Sequence, residues 1–198
     1  MLMQEEVAAL YLNATFPKFP PPFDNITTAY WAAQRSKGDA VFTCATHWTA
    51  RTLTSQPMYQ YFYTHPTTDM FLGPAGSIPF ARHSSEIPFM FDMKYFHTAE
   101  ERVLGTAMGS YWGSFVVCGS PNACLPAQTT SSGNGGIPGG KPLPTWPAYG
   151  KDYQRGQFMQ LDVPQAGFCR AVPSVDAQRR CDFMLTWLDR QLRTLGAS

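Results

Sequence analysis

Two short, nearly continuous apolar runs set the main limit on what this chain can fold into. The runs cover residues 39–44 and 58–64, and a segment with a helical pattern, residues 47–53, lies between them. Strands that are buried on both faces of a sheet have this apolar pattern. The order strand, helix, strand predicts a right-handed crossover between two parallel strands.

A third run, residues 158–163, alternates between apolar and polar positions and predicts an edge strand. Three strands are too few for a sheet in which two strands are buried on both faces. We therefore expect an α/β fold in which the 198 residues supply only part of the sheet. Residues 1–198 are then a fragment, one portion of a single larger domain.

The clearest predicted helix follows Thr98. Thr98 and Glu101 have the spacing of a capping box, and Gly119 is placed to end the helix. Apolar residues recur between them at helical spacing and predict one face that packs on a core. These residues are Val103, Leu104, Ala107, Met108, Tyr111, Trp112, Phe115 and Val116.

The N-terminal region shows weaker helical signals. The first forty residues predict two short helices interrupted by the proline-rich residues 16–22. A further helix is predicted to begin near Asn25 or Thr27 and to end by Gly38.

The C-terminal region combines a loop and a helix. Residues 128–147 are dominated by Gly, Ser, Pro and Thr and predict a long mobile surface loop. Ser174 is placed to cap a final helix in which Leu185, Leu188 and Leu192 share a face.

Composition excludes several classes of partner. The chain has 15 basic and 14 acidic residues, a net charge of +1, which gives no electrostatic basis for binding nucleic acid or an anionic membrane. No stretch approaches the roughly 18 consecutive apolar residues that a spanning helix needs. Residues 1–12 also lack the basic start and apolar run of a signal peptide. We expect neutral small molecules or other proteins as partners.

Glycosylation triplets and cysteines favour the secretory pathway. Asn13 and Asn25 each begin an Asn-x-Thr triplet, and the five cysteines include no Cys-x-x-Cys arrangement. We expect an extracellular or secretory location, with Asn13 and Asn25 as candidate glycosylation sites.

Several motifs, in one order, resemble a known family. GDAVFTC, MYQYFYTH, ARHSSEIPFMF, TAEERVLGTAMGSYWGSFVVCGSPN, WPAY, QFMQLDV and CDFMLTWL follow one another between residues 38 and 188, within a resemblance that runs from about Asp39 to Leu192. They resemble the C-terminal third of the type B carboxylesterases, the cholinesterase-like branch of the α/β-hydrolases. The most specific stretch, residues 83–89, is similar to the family's His-Gly-x-Glu-(Ile/Leu)-Pro-Phe. Tyr111-Trp112 followed by residues 119–122 is similar to its Tyr-Trp…Gly-Asp-Pro-Asn. Ser84 departs from the family's Gly, and Ser120 from its Asp.

The resemblance implies a role for His83. A lone histidine in an apolar setting is more often structural, but the family has the base of a Ser-His-acid triad at this position, with no metal or organic cofactor. A positioned imidazole takes the proton of a serine hydroxyl and returns it to the leaving alcohol. His47, His65 and His97 show no metal-ligand spacing and are expected to be structural.

The other two members of a triad are not apparent in the sequence. No Gly-x-Ser-x-Gly elbow occurs in the 198 residues. The family order places both nucleophile and acid upstream of the histidine. Asp39 and Glu86 are poor substitutes for the acid, and Glu86 is expected to hold its own loop by hydrogen bonds.

Cysteine pairing is only partly implied. The resemblance implies a disulfide between Cys44 and Cys181, and two buried free thiols are the alternative. Cys118 and Cys124 flank five residues and would close a local loop that the family pattern does not supply. Cys169 is then left without a partner.

The leading hypothesis is therefore the C-terminal segment of a secreted carboxylic-ester hydrolase that acts on a small-molecule ester. A non-catalytic cholinesterase-like adhesion domain and an inactive truncated gene product are the alternatives. The family often forms homo-oligomers through C-terminal helices, which here implies Met184, Trp187 and Leu188. Phe80, Phe89 and Phe91 are either pocket walls or core residues, so no substrate is named.

Overall fold

The computed structural model describes the chain in two compact units. The described residues are 2–12, 24–53, 55–68, 77–78, 80–91, 98–125, 142–149, 156–194 and 196. Unit 1 comprises residues 1–58, 149–156 and 173–198, and unit 2 comprises residues 59–148 and 157–172.

Unit 1 is helical. Its elements are α1 (Leu2–Leu12), α2 (Thr28–Gly38), a π-helical turn (Asp39–Thr43), α3 (Cys44–Thr52) and α6 (Val175–Thr194). Helix α2 begins as predicted, because the Thr27 hydroxyl accepts a hydrogen bond from the Tyr30 N–H at 3.2 Å. The proline-rich residues 16–22 and Asn13 lie outside the described residues.

Residues 39–44 are helical, so the predicted strand at this position is wrong. Helix α2 continues through the π-helical turn into α3. Val41 and Phe42 are 53% and 46% exposed, so the run is not buried on both faces. Its buried members are Cys44 and Asp39. Asp39 accepts hydrogen bonds from the Tyr11 hydroxyl (3.1 Å) and the Arg180 guanidinium (2.5 Å). A short apolar run does not separate strand from helix.

Unit 2 contains the sheet. Its elements are β1 (Tyr61–Tyr63), β2 (Thr67–Thr68), β3 (Ser77–Ile78), α4 (Ile87–Phe91), α5 (Ala99–Cys118), β4 (Gln157–Leu161), a 3-10 turn (Pro164–Ala166) and β5, Arg170–Pro173, whose last residue falls in unit 1. Strands β2 and β3 form an antiparallel pair.

Strand β1 pairs in parallel with β4, which lies between β1 and β5. The prediction of an edge strand at residues 158–163 is therefore wrong. It followed the alternation of β4 correctly, because Met159 and Leu161 are fully buried while Phe158 and Gln160 are only half-buried. The predicted crossover from residues 39–44 to 58–64 is replaced by the pairing of β1 with a strand almost a hundred residues later.

Helix α5 confirms the predicted capping box. The Thr98 hydroxyl accepts from the Glu101 N–H at 3.1 Å, and the Glu101 carboxylate accepts from the Thr98 N–H at 2.9 Å. Gly119 ends the helix with a φ of +70°. The apolar face is shorter than predicted, since Phe115 and Val116 are 47% and 81% exposed.

The core of unit 2 forms where α5 packs with the sheet. Its fully buried members include Leu104, Met108, Tyr111, Met159 and Leu161.

The end of the predicted surface loop is packed. Residues 126–141 lie outside the described residues, but Trp146, which follows them, is only 4% exposed and belongs to the core of unit 2. Its backbone N–H donates to the Asn122 side-chain oxygen at 2.8 Å, and its carbonyl accepts from the Asn122 amide at 2.8 Å.

Helix α6 follows Ser174, as predicted. The Ser174 hydroxyl donates to the Gly156 carbonyl at 2.7 Å. The predicted leucine face is not buried within the described structure, because Leu185, Leu188 and Leu192 are 41%, 40% and 44% exposed. The buried residues Ala177, Gln178 and Cys181 lie on the same side of the helix, nearer its start.

No helix among the described residues combines the length and the apolarity required to cross a bilayer.

Two disulfides are present, the one that the resemblance implies and one whose pairing the sequence left open. Cys44 and Cys181 are bridged with their Cα atoms 5.0 Å apart, and Cys118 and Cys124 are bridged with Cα atoms 6.1 Å apart. Cys169 is a buried free thiol.

The two bridges differ in their expected effect on stability. They close segments with sequence separations of 137 and 6 residues. Chain entropy then gives a loss of about 5 kcal/mol for the double variant Cys44→Ala/Cys181→Ala and about 2 kcal/mol for Cys118→Ala/Cys124→Ala. Urea denaturation of both variants measures the difference. Equal losses would contradict the entropic account.

Candidate active site

His83 lies in a tight turn in unit 2. The Ser85 N–H donates to the Arg82 carbonyl at 3.1 Å, which closes the turn. The Ser85 hydroxyl donates to the same carbonyl at 2.7 Å and accepts from the Arg82 N–H at 3.2 Å. Because the Ser85 side chain bonds both polar backbone groups of Arg82, the segment that carries His83 has a fixed shape.

Ser84 has a backbone conformation that favours glycine. Its φ is +67°, the only positive φ of a non-glycine residue among the described residues. With His83 before it at negative φ, the turn has the φ pattern of type II, in which the third residue is usually Gly. Because Ser84 has a Cβ atom at this positive φ, its backbone carries strain on the order of 1 kcal/mol. The family that residues 83–89 resemble has Gly at this position.

Helix α4 fixes the turn to the sheet. The Ile87 N–H donates to the Ser84 carbonyl at 3.3 Å. Phe89 is 8% exposed, and its ring packs edge-on against Tyr63 on β1 (5.8 Å) and against His65 (5.5 Å). The turn therefore leads directly into a helix that is anchored on β1.

Glu86 holds the same loop to β1. Its carboxylate accepts a hydrogen bond from the Tyr61 hydroxyl at 3.2 Å. Burial, with the added effect of the Glu86 charge, raises the pKa of Tyr61 to about 12. This hydrogen bond agrees with the structural role predicted for Glu86.

The His83 side chain is exposed. A proton carrier has to reach the group that it serves, and an exposed imidazole is accessible to a nucleophile on another segment. Of the aromatic residues near it in sequence, Phe89 belongs to the core, Phe80 is half-buried and Phe91 is 80% exposed.

A second histidine, His65, lies between two carboxylates. Its Nε2 is 3.2 Å from Glu101 Oε1, and its Nδ1 is 3.5 Å from Asp162 Oδ1. Burial alone would lower the pKa of His65, but the adjacent Asp162 and Glu101 carboxylates outweigh it and raise the pKa.

Asp162, one of the two carboxylates beside His65, also accepts hydrogen bonds from other groups. Asp162 accepts from the Thr64 hydroxyl at 2.7 Å and from the Val163 N–H at 2.8 Å. Burial would raise its pKa, but these bonds and the neighbouring His65 lower it. Since Thr64 is committed to Asp162 and His65 is 9% exposed, this cluster is structural.

The sequence contained a signal for this cluster. His65 follows the end of β1, and Asp162 follows the end of β4. Polar residues beyond the carboxyl ends of neighbouring parallel strands lie close together. The pairing of these two strands was not predicted, so the two residues were not associated.

Two further polar candidates, His47 and Asp39, lie in unit 1, and His97 lies outside the described residues. His47 is 2% exposed and bonds through Nδ1 to the Tyr149 hydroxyl at 2.8 Å. Burial lowers the pKa of His47. Asp39 lies in the π-helical turn rather than at a strand end and is bound by Tyr11 and Arg180. No metal-binding group of three or more His, Cys, Asp or Glu side chains occurs in the described part of the chain.

Ser120, the second departure from the family motif, forms hydrogen bonds within the loop that follows α5. Its hydroxyl accepts from the Asn122 N–H at 3.2 Å, as an Asp carboxylate would. The Ser114 hydroxyl also donates to the Ser120 carbonyl at 2.7 Å. The loop after α5 therefore stays ordered by hydrogen bonds without the usual acid.

Comparisons with known proteins agree with the resemblance. A sequence model described as "Carboxylesterase family" matches residues 4–184. Pyrethroid hydrolase Ces2e of Rattus norvegicus is 31% identical over 124 residues, covering 60% of this chain and 17% of the rat protein. Carboxylesterase 5A of Felis catus is 27% identical over 178 residues, covering 78% of this chain and 29% of the cat protein. The chain thus spans less than a third of the length of these relatives.

A solved structure shows the same fold. The carboxylesterase EST55 of Geobacillus stearothermophilus superposes with a TM-score of 0.58 at 19% identity, over 89% of this chain and 31% of the bacterial chain. At this identity the likeness concerns the fold alone, and it confirms part of an α/β-hydrolase fold.

Strain at Ser84 predicts a stabilising substitution. Ser84→Gly should raise the free energy of unfolding by about 1 kcal/mol, because glycine adopts a positive φ without steric cost. Ser84→Ala keeps the Cβ atom and should give no such gain. Thermal denaturation followed by circular dichroism compares the two, and an equal gain in both variants would rule out the backbone explanation.

The two buried histidines predict opposite pH dependences of stability. The raised pKa of His65 adds to the free energy of unfolding. This stabilisation is complete below the usual histidine pKa of about 6.5, and it is lost as the pH rises through the pKa of His65 in the folded protein. The lowered pKa of His47 has the opposite effect. Its stabilisation of the folded state is complete above about pH 6.5, and it is lost as the pH falls through the pKa of His47 in the folded protein.

Urea denaturation across this pH range separates the two histidines. His65→Gln should remove a loss of stability on the alkaline side, and His47→Gln should remove a loss on the acidic side. Each variant is the control for the other. If both changed the same side of the profile, the assignment of the two environments would be incorrect.

Proposed function

Since this chain belongs to the carboxylesterase family, we propose that it is the C-terminal segment of a serine carboxylic-ester hydrolase in which His83 is the general base. One observation carries the proposal most directly. The motif at residues 83–89 forms a closed turn that is anchored on β1 through Tyr61 and Phe89 and leaves the imidazole of its first residue exposed.

The chemistry assigned to His83 is proton transfer. A serine hydroxyl becomes an effective nucleophile when an imidazole takes its proton as it attacks the ester carbonyl. The imidazolium then protonates the departing alcohol, and water repeats the cycle on the acyl-enzyme. A neighbouring carboxylate orients the ring and stabilises its positive charge.

The serine and that carboxylate are proposed to come from sequence outside these 198 residues. No Gly-x-Ser-x-Gly occurs among them. Glu86 is bonded to Tyr61, and Asp162 and Glu101 surround His65. On this proposal the 198-residue chain alone does not hydrolyse esters.

The proposed substrate is a small carboxylic ester, and the proposed compartment is the secretory pathway. Small-molecule esters are the substrate class that family membership supports. Two disulfides and an exposed Asn25 in a glycosylation triplet support an oxidising compartment.

A fluorophosphonate probe tests the missing nucleophile. The purified 198-residue chain should show no stoichiometric serine labelling. Stoichiometric labelling that disappears in His83→Ala would contradict the proposal that the nucleophilic serine lies outside these 198 residues.

The transcript upstream of Met1 tests the proposed role of His83. An elbow serine between two glycines is expected there, and in the protein that includes it His83→Ala should lower kcat/KM for an ester by a factor of about a thousand or more. Ser84→Ala is the matched control, since it alters the adjacent residue without removing a proton carrier. A substituted elbow would favour the adhesion domain over the hydrolase.

A further inference from the structure

Helices α1 and α6 of unit 1 leave a groove of about 610 Å³ between them. Ala9 and Leu10 line it from α1, and Phe183 and Trp187 line it from α6. Cavities of this size commonly hold small organic molecules. The Trp187 indole N–H is covered and makes no hydrogen bond among the described residues, so the ring acts as an apolar wall.

The two ends of the groove differ in charge. At one end Arg190 Nη1 lies 3.6 Å from Glu6 Oε2, and this ion pair is neutral overall. At the other end Arg179, an exposed residue, lies eleven positions earlier on α6, about 16 Å along the helix axis. In the structure as described, Arg179 forms neither an ion pair nor a side-chain hydrogen bond.

We propose that this groove binds an anionic amphiphile, a molecule with one carboxylate and an alkyl chain. The planar guanidinium of Arg179 presents paired donors that match a carboxylate. The alkyl chain lies along Leu10, Phe183 and Trp187 toward the neutral end at Arg190. Because the lining supplies one uncompensated positive charge and no uncompensated negative charge, an anion is favoured over a cation of the same shape.

The exposed leucines of α6 form a different surface. Leu185 and Leu192 project from the side of α6 opposite Phe183 and Trp187, because successive residues turn by about 100°. A second copy of the chain that packs on the leucines would therefore leave the groove open. The site also includes none of the residues assigned to ester hydrolysis, so it is independent of the proposed function.

Calorimetric titration of the 198-residue chain with octanoate tests the proposal, with octanol as the uncharged ligand of the same chain length. We expect saturable binding of one octanoate and at least about tenfold weaker binding of octanol. Arg179→Gln should weaken octanoate binding by about tenfold, the loss of one charge-assisted contact, and leave octanol binding unchanged.

Three control variants make the result specific. Arg193→Gln removes the same charge from an exposed position of α6 outside the groove and should leave octanoate binding unchanged. Phe183→Ala should weaken both ligands. His83→Ala should affect neither, which separates this site from the hydrolase proposal. Circular dichroism confirms that each variant keeps its helices.

Several outcomes would overturn the proposal. Absence of saturable octanoate binding is one, and equal affinity for octanoate and octanol is another. A loss in Arg193→Gln as large as that in Arg179→Gln would reduce the effect to net charge. A dimer detected by sedimentation that Phe183→Ala disrupts and octanoate does not would assign the groove to a second copy of the chain.

Discussion

The parallel pairing of β1 with β4 is the constraint on which the candidate site depends. It joins residues 61–63 to residues 159–161 and buries Met159 and Leu161 under α5. Once β1 is fixed in the core, Tyr61 and Tyr63 are available to bind Glu86 and Phe89 on either side of the start of α4. The His83 turn therefore takes its position from a contact between strands that are far apart in sequence.

Sequence motifs were sufficient to predict where a helix begins or ends when only neighbouring residues determine that boundary. The capping box at Thr98, the αL stop at Gly119 and the start of α2 after Thr27 were all correctly predicted because each depends on residues within one helical turn. Both disulfides agree with the pairings considered from the sequence. Family membership and the α/β-hydrolase fold followed from the order of the motifs.

The predictions failed where contacts between residues far apart in the sequence determine the secondary structure or the environment of a side chain. Residues 39–44 are apolar enough for a strand, but Asp39 is bound by Tyr11 and Arg180, and a helix satisfies those contacts. Strand β4 alternates like an edge strand and is nevertheless central. The environment of His65 requires the ends of two strands and the start of α5 to meet, which spacing along the chain does not reveal.

The central claim is that the chain itself forms the turn and presents His83 to solvent on it, which the proposed proton transfer requires. Reaction of the 198-residue chain with diethyl pyrocarbonate, followed by mass spectrometry of the histidine-containing peptides, tests this most directly. The account predicts that His83 is modified at the rate of an exposed imidazole, while the buried His47 and His65 react far more slowly. A His83 as protected as His47 would contradict it.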